Sequence, residues 1–134
     1  MAHYVIISGG RDQDGPEIHA DMGEILGFLQ MFYGNDLRVL HGAARGVDSV
    51  AQETCEALRI IVKAFPADWD ANPRAAGVIR NRQMADLVAK WSKSGHTGEL
   101  IAFRGGNGTE NMVKEALERD IPVTRVPHDE TMVP

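Results

Sequence analysis

The sequence predicts an α/β fold in which a doubly wound, mostly parallel sheet of five strands carries helices on both faces. Apolar runs of strand length alternate along the chain with longer segments whose apolar residues recur at helical spacing. Single helices separate the successive strands, which is the pattern of right-handed βαβ crossovers in a covered parallel sheet. We expect the strand order 3-2-1-4-5, which places a ligand crevice beyond the carboxyl ends of strands one and four.

The first half of the chain supplies three strands and two helices. Residues 3–8 are the first predicted strand, and Pro16 begins the first helix because proline suits the first helical position. Strand two covers about residues 37–40, helix two about 46–58 and strand three 60–65. Each helix is expected to have one apolar face, formed by Ile18, Met22, Ile25, Leu26 and Leu29 in the first and by Val47, Val50, Ala51, Thr54 and Leu58 in the second.

The second half continues the alternation after a long irregular segment. Residues 66–76 are polar and contain prolines, and loops of this length inside a compact domain are often functional. Helix three is predicted at about 77–91, strand four at 99–103, helix four at 109–119 and strand five at 121–126. The inner faces are expected to hold Arg80, Met84, Leu87, Val88 and Trp91 on helix three and Met112, Val113, Ala116 and Leu117 on helix four.

Length and composition fit one globular domain. The chain has 134 residues, 43% hydrophobic and 25% charged, so we expect one domain over residues 1–127 and a C-terminal tail at 128–134. The net charge of −5 disfavours binding to extended nucleic acid. No apolar run approaches the roughly 20 residues that span a bilayer, and no signal peptide is evident, so a cytoplasmic protein is expected. The only cysteine, Cys55, is predicted to be a buried small hydrophobe.

Three glycine-rich turns follow predicted strands. Residues 104–109 have the sequence Arg-Gly-Gly-Asn-Gly-Thr between strand four and helix four, Gly9-Gly10-Arg11 follows strand one, and residues 42–46 follow strand two. Glycine permits positive φ and a close approach of ligand to backbone, and the free N–H groups at a helix N-terminus bind anions. Since the carboxyl ends of parallel strands share one edge of the sheet, the turns predict one phosphate-binding site.

Arginines beside these turns are candidates for anion contacts. Arg80 continues the apolar row of helix three toward its N-terminus and should point inward to bind an anion, with a structural salt bridge as the alternative. Arg82 lies about 200° away around the helix and should face outward. For Arg11 and Arg45, both beside glycines, a ligand contact and a solvated position are both open.

Two further side chains each leave two interpretations open. Asp48, in the first turn of helix two, either interacts with the helix dipole or hydrogen-bonds a ribose hydroxyl. Trp69, in the long loop, either stacks on a base or covers the edge of the core. With the glycine turns, the predicted ligand- and phosphate-binding residues are Gly9, Gly10, Arg11, Gly42, Arg45, Gly46, Asp48, Trp69, Arg80, Gly105, Gly106, Asn107, Gly108 and Thr109.

Other common sites are absent from the sequence. Gly-x-x-x-x-Gly-Lys-Ser/Thr does not occur and Gly-x-Gly-x-x-Gly does not follow strand one, which argues against a Walker-type NTPase and an ordinary NAD(P) dehydrogenase. No cysteine pair or close histidine pair offers a metal site, so neither a metal nor a cofactor is expected. His41 adjoins a glycine turn, where a solvated position is favoured over a ligand contact.

Five motifs are spread over nearly the whole chain. They are Gly9-Gly10-Arg11, Gly42-Ala-Ala-Arg-Gly-Val-Asp48, Pro66-Ala-Asp-Trp-Asp70, Ala76-Gly-Val-Ile-Arg-Asn-Arg-Gln-Met84 and Ala102-Phe-Arg-Gly-Gly-Asn-Gly-Thr109. Together, in this order, they resemble the YspA-like branch of the SLOG superfamily. The resemblance implies a Rossmann-like fold and a nucleotide or nucleotide-derived ligand, in a branch that is common in bacteria and their phages.

The same superfamily includes the Lonely Guy phosphoribohydrolases, which release a base from a nucleoside monophosphate. Their motif Gly-Gly-x-Gly-Thr-x-x-Glu ends in a glutamate that acts at the glycosidic bond, and Arg80 resembles an arginine on a preceding helix. Here Met112 occupies the glutamate position and Glu110 points about 200° away. We therefore expect nucleotide binding without catalysis. The alternative is an N-glycosidase or phosphoribohydrolase that uses Asp48 or Glu110, while the acidic balance disfavours a DNA-binding module.

A homo-oligomer, most simply a dimer, is also expected. Related folds often pair through the helices beside the ligand crevice, and Leu87 and Trp91 offer apolar surface at the end of helix three. The expected partners are thus a small nucleotide-type ligand and a second copy of the chain, but neither extended nucleic acid nor a membrane.

Overall fold

The computed structural model describes residues 1–127, so the predicted tail at 128–134 lies outside the described residues. Its elements are β1 (His3–Ser8), α1 (Pro16–Tyr33), a short 3-10 turn (Gly34–Asp36), β2 (Leu37–His41), α2 (Val47–Leu58), β3 (Ile61–Ala64), α3 (Ala76–Lys93), β4 (Thr97–Phe103), α4 (Asn107–Glu118) and β5 (Val123–Val126). The strands form one parallel sheet in the order β3-β2-β1-β4-β5. The predicted α/β fold and strand order are confirmed.

The strands direct alternate side chains into two core layers. On one face of β1, Val5 and Ile7 pack with α1 and α2, and on the other face Ile6 packs with α3 and α4. Met22 and Leu26 of the predicted α1 stripe are fully buried, and its other members are partly buried. Helices therefore cover both faces of the sheet and leave the carboxyl ends of the strands free for a site.

Two predicted inner faces are corrected. On α2, Cys55 is fully buried in the core while Thr54 is only partly buried, and this burial raises the pKa of the Cys55 thiol to about 12. On α4, the prediction that Leu117 is buried is wrong, because its relative exposure is 59%. Leu117 lies at the solvent edge of the buried arc, and Glu115 is buried at the other edge because two arginines pair with it.

The element boundaries agree with the predicted ones to within two residues, and those of β1 are identical. β4 begins earlier, at Thr97, and β5 begins later, at Val123. α4 begins at Asn107 because Gly106 is its N-cap. This last difference matters for function, since it places the free N–H groups of α4 inside the glycine turn.

The apolar surface expected at the end of α3 is largely covered. Trp91 stacks on Tyr4 with ring centroids 4.1 Å apart, and Leu87 is partly buried. Large apolar side chains are instead exposed along one side of α1, at Phe28, Met31 and Phe32. No helix in the described part of the chain is long and apolar enough to cross a membrane.

Candidate ligand-binding cleft

A cleft of about 980 Å³ lies beyond the carboxyl ends of β1, β2 and β4. The loops after these strands and the first turns of α2, α3 and α4 form its walls, together with the loop from β3 to α3. The position agrees with the rule that ligands of open α/β sheets bind where the strand order reverses. Most of the predicted site residues line it, namely Gly9, Gly10, Arg11, Arg45, Asp48, Trp69, Arg80, Gly106, Asn107, Gly108 and Thr109.

The other three predicted glycines, Gly42, Gly46 and Gly105, are not among the residues that line the cleft; Gly42 and Gly46 are buried, whereas Gly105 is exposed. A side chain at Gly42 would collide with the guanidinium of Arg80, and one at Gly105 would collide with Thr109. Gly46 has a φ of +74° and packs against the backbone of the loop after β1. These glycines shape the site by letting its walls approach one another, and their role as ligand contacts stays a prediction.

The loop after β1 is clamped between the loops that follow β2 and β4. The Gly10 N–H donates a hydrogen bond of 2.7 Å to the carbonyl of Arg104, and the Gly10 carbonyl accepts one of 3.2 Å from the Val47 N–H. The three glycine-rich turns are therefore joined directly by backbone hydrogen bonds. They form one continuous floor.

The N-terminus of α4 opens into the cleft without a capping side chain. The Glu110 N–H bonds to the carbonyl of Gly106 at 3.1 Å, so the N–H groups of residues 107–109 are the ones left without an intrahelical partner. A Cβ atom built on Gly106 or Gly108 would meet nothing within 4 Å. Open access, free N–H groups and the positive end of the helix dipole make this turn suited to binding an anion.

Arg80 places a partly buried cation in the same cleft. Its Nη1 donates to the carbonyls of Gly42 and Phe65, and its Nε donates to Oδ1 of Asn81 at 2.9 Å. It forms no salt bridge within residues 1–127, so the structural salt bridge considered as the alternative is not present there. Burial lowers the pKa of Arg80, an effect that Asp48 opposes. The guanidinium charge is thus bound only to neutral acceptors.

Ion pairing distinguishes the arginines that line the cleft from three arginines elsewhere; Arg38, Arg59 and Arg104 neither line the cleft nor form a salt bridge within residues 1–127. Away from the cleft, salt bridges to acidic side chains are made by Arg82, Arg119 and Arg125. Within the described residues, no salt bridge is made by the four arginines that line the cleft, Arg11, Arg45, Arg74 and Arg80. The acidic residues that line it are Asp12, Asp14 and Asp48. Positive charge is therefore in excess at the cleft of a chain whose net charge is −5.

Asp48 is a buried carboxyl in the floor of the cleft, with a relative exposure of 5%. Its Oδ2 accepts hydrogen bonds from the N–H groups of Gly42 at 3.1 Å and Ala44 at 3.2 Å. Its Oδ1 is buried and has no hydrogen-bond partner in the described part of the chain. Burial raises the pKa of Asp48, although the Ala44 hydrogen bond and the charges of His41 and Arg80 oppose the rise. Asp48 therefore holds the loop after β2 and keeps one acceptor unused.

Trp69 lies on the wall of the cleft. Its ring packs over Gly77 at the start of α3, and the Arg11 guanidinium carbon lies 5.6 Å from the ring centroid. At 44% exposure, the indole presents a large part of its surface to solvent. An aromatic face beside a guanidinium plane is a suitable surface for stacking a planar group.

Several cleft residues were not among those predicted. The most informative is Asn81, which is 4% exposed and whose Nδ2 donates to the Gly108 carbonyl at 3.2 Å and to Oδ1 of Asn111 at 2.9 Å. A sequence signal for it exists, because Asn81 falls in the buried row of Met84, Ala85 and Val88, where an amide requires polar partners. The unpredicted residues are Ser8, Asp12, Asp14, Ala44, Arg74, Gly77, Val78, Asn81 and Asn111.

Two other candidate side chains lie away from the cleft. Glu110 forms two hydrogen bonds of 3.0 Å with Arg125, which lower its pKa. His41 is buried rather than solvated, because its Nε2 bonds to Oε1 of Gln52 at 2.6 Å and its Nδ1 accepts from the Ala43 N–H. Across residues 1–127, no group of three or more His, Cys, Asp or Glu side chains is placed to hold a metal ion.

A relative of the chain comes from a bacteriophage. The Gene 61 protein of Mycobacterium phage D29 is 30% identical over 92 residues, which cover 65% of this chain and 69% of the phage protein. The chain belongs to the family of this phage protein. No family model matches the sequence.

Two solved structures share the fold of this phage-related chain. DNA processing protein A (DprA) from Streptococcus pneumoniae superposes with a TM-score of 0.68 at 16% identity, over 96% of this chain and 51% of that one. The structural-genomics target TM1055 superposes with a TM-score of 0.62 at 16% identity, over 92% of this chain and 72% of that one. The chain thus spans about half the length of DprA. At this level of identity the likeness establishes the shared Rossmann-like fold.

Proposed function

We propose that the protein binds a nucleotide or a nucleotide-derived ligand in the cleft, with a phosphate at the N-terminus of α4. The observation that carries the proposal is that the α4 turn, which no side chain caps, and an Arg80 guanidinium that forms no salt bridge within residues 1–127 lie in one cleft. Asn81 bridges them, since it accepts from Arg80 and donates to the carbonyl of Gly108. Two sources of positive potential, neither of them in a salt bridge within residues 1–127, suit a phosphate.

The remainder of the cleft supports a ligand larger than phosphate. Its volume of about 980 Å³ is at the upper end of the range for small-molecule sites. The exposed face of Trp69, with Arg11 beside it, offers a stacking surface for a base. A phosphate at α4 and a base against Trp69 would therefore use both the positively charged part of the cleft and its aromatic surface.

The YspA-like branch of the SLOG superfamily is the assignment we propose for the chain, with residues 1–127 as one domain. Its support is that all five sequence motifs contribute residues to the cleft wall. Four of them lie after β1, β3 and β4 and along α3, and the fifth, after β2, contributes Arg45 and Asp48. The shared fold with DprA and TM1055 is consistent with it. The name of DprA refers to DNA processing, but the net charge of −5 argues against binding of extended DNA by this chain.

Hydrolysis of the glycosidic bond is the second candidate function, and the observation that favours it is that Oδ1 of Asp48 has no hydrogen-bond partner within residues 1–127. Of the two carboxylates considered, Glu110 is occupied by Arg125. Met112, at the position of the Lonely Guy glutamate, is fully buried in the core. We propose binding without base release. Chromatography of nucleoside monophosphates after incubation tests this, and base release that is lost in Asp48→Asn would make the protein an enzyme.

Titration calorimetry against nucleoside mono- and diphosphates tests the binding site. Gly106→Asp should abolish binding, because the carboxylate adds negative charge and caps the N–H groups that the phosphate needs. Gly106→Ala is the matched control, since its Cβ meets nothing within 4 Å, and it should bind as the wild type does. Unchanged affinity in a folded Gly106→Asp variant would exclude this turn from the site.

A further inference from the structure

The floor of the cleft contains a hydrogen-bond acceptor that the protein does not use. Asp48 is 5% exposed and lines the cleft, its Oδ2 is occupied by two backbone N–H groups, and its Oδ1 has no partner within residues 1–127. Buried polar atoms normally have a partner, and an unpaired carboxylate oxygen is especially unfavourable. An ionised carboxylate only accepts hydrogen bonds, so the missing partner is a donor.

A row of hydrogen bonds connects this acceptor to the proposed phosphate position. Asp48 accepts from the Gly42 N–H, and the Gly42 carbonyl accepts from Arg80. Arg80 donates to Asn81, which donates to the carbonyl of Gly108 in the first turn of α4. Only β1 separates β2 from β4 in the sheet, so the strands that lead to the two ends of the row are about two strand spacings, or about 10 Å, apart. The sugar and phosphate of one nucleotide, each with its own contact, can bridge such a span.

We propose that Oδ1 of Asp48 accepts a hydrogen bond from a ribose hydroxyl of the ligand. This inference rests on the proposed function and adds a sugar contact to it. A contact to the 2′-hydroxyl restricts the ligand to ribonucleotides and their derivatives, whereas a contact to the 3′-hydroxyl requires that this hydroxyl be free. A carboxylate that binds a ribose hydroxyl is established chemistry in other nucleotide-binding α/β folds. Oδ1 has almost no solvent contact, so the side chains around it must shift for the ribose hydroxyl to reach it.

Calorimetry with three probes tests the inference: adenosine 5′-monophosphate and its 2′-deoxy and 3′-deoxy analogues, repeated with the other common bases. The wild type should bind one of the deoxy analogues about tenfold or more weakly than the ribonucleotide, as expected for the loss of a hydrogen bond to a charged group. Asp48→Asn should reduce this preference to below about threefold, because the amide oxygen can satisfy Gly42 and Ala44 while the amide nitrogen replaces the acceptor.

Asp14→Asn is the matched control, since it removes an exposed carboxylate from the same cleft, and its ribose preference should equal that of the wild type. Thermal unfolding of both variants establishes that they are folded. Equal binding of all three probes by the wild type would overturn the ribose contact and leave nucleotide binding intact. Persistence of the preference in folded Asp48→Asn would do the same, whereas a wild type that binds no nucleotide would overturn both proposals.

Discussion

Replacing Arg80 by alanine should weaken the binding of phosphorylated ligands specifically. A guanidinium has five N–H donors, and Nε and Nη1 use theirs on Asn81, Gly42 and Phe65. The two donors of Nη2 have no acceptor in the described part of the chain and are available to a phosphate. One hydrogen bond to a charged group contributes about 1.5 to 3 kcal/mol, so Arg80→Ala should raise Kd by about 13- to 160-fold.

The cost to folding should be small by comparison. Arg80→Ala removes hydrogen bonds to neutral acceptors, but it also removes a cation whose burial is unfavourable, as the lowered pKa of Arg80 indicates. We expect a loss of about 1 kcal/mol, a few degrees in Tm. Arg82→Ala is the matched control on the same helix, because Arg82 is exposed and pairs with Glu115, which retains Arg119.

The assay is calorimetric titration of both variants with adenosine 5′-monophosphate and with adenosine, which lacks the phosphate. In the wild type the nucleotide should bind more tightly than the nucleoside, and Arg80→Ala should remove most of that difference while Arg82→Ala preserves it. If Arg82→Ala weakened nucleotide binding more than Arg80→Ala, the assignment of Arg80 to the phosphate would be wrong. An equal loss of nucleotide and nucleoside binding in Arg80→Ala would also contradict it, because the effect would then not involve the phosphate.

Three further predictions concern the core and the surface. Met112→Glu should destabilise the protein by about 3 kcal/mol or more without creating hydrolysis, because Met112 is fully buried, whereas Met112→Leu should lose less than about 1.5 kcal/mol in denaturant unfolding. Burial raises the pKa of the Cys55 thiol from 9.0 to about 12. The free energy of unfolding should therefore not depend on this thiol below pH 9 and should fall by about 1.4 kcal/mol per pH unit from there toward pH 12, where only the unfolded thiol is ionised. Unfolding titrations of Cys55→Ala should lack this fall. A dimer remains a prediction, and the exposed apolar side of α1 is now its expected interface. Light scattering should give a dimer mass for the wild type and for the exposed control Leu117→Ser, and a monomer mass for the double variant Phe28→Ser with Phe32→Ser. A monomeric wild type at high micromolar concentration would contradict this prediction.

Local sequence patterns were enough to predict the fold and the location of the cleft. The alternation of strand and helix periods led to the sheet order, and the α1 stripe that includes Met22 and Leu26 is buried as expected. Glycine turns at the carboxyl ends of neighbouring strands indicated one shared site, and the helix phase of Arg80 placed it there. These features depend on residues within one or two helical turns of each other, which is the range that periodicity describes.

The helix phase alone did not establish the surroundings of the predicted residues. Gly42 could be recognised as a glycine in a turn, but its role depends on Arg80, which is 38 residues away in the chain. Leu117 followed the apolar row of α4 and is nevertheless exposed, whereas Glu115, at the other edge of that row, is buried and pairs with Arg82 from another helix. Burial and pairing of this kind depend on which helices the sheet brings together.

The sequence by itself therefore determined the fold class and the edge of the sheet at which the glycine turns meet, while the strand order was inferred from the fold class and agrees with the structure. Only the tertiary structure decided which charges at that edge remain unpaired. Arg125 pairs with Glu110 across 15 residues of sequence, whereas Arg80 finds only neutral acceptors and Oδ1 of Asp48 finds none in the described part of the chain. The physical reason is that hydrogen bonds and ion pairs extend only a few ångströms, so their partners are set by how distant segments pack and not by the pattern within one segment.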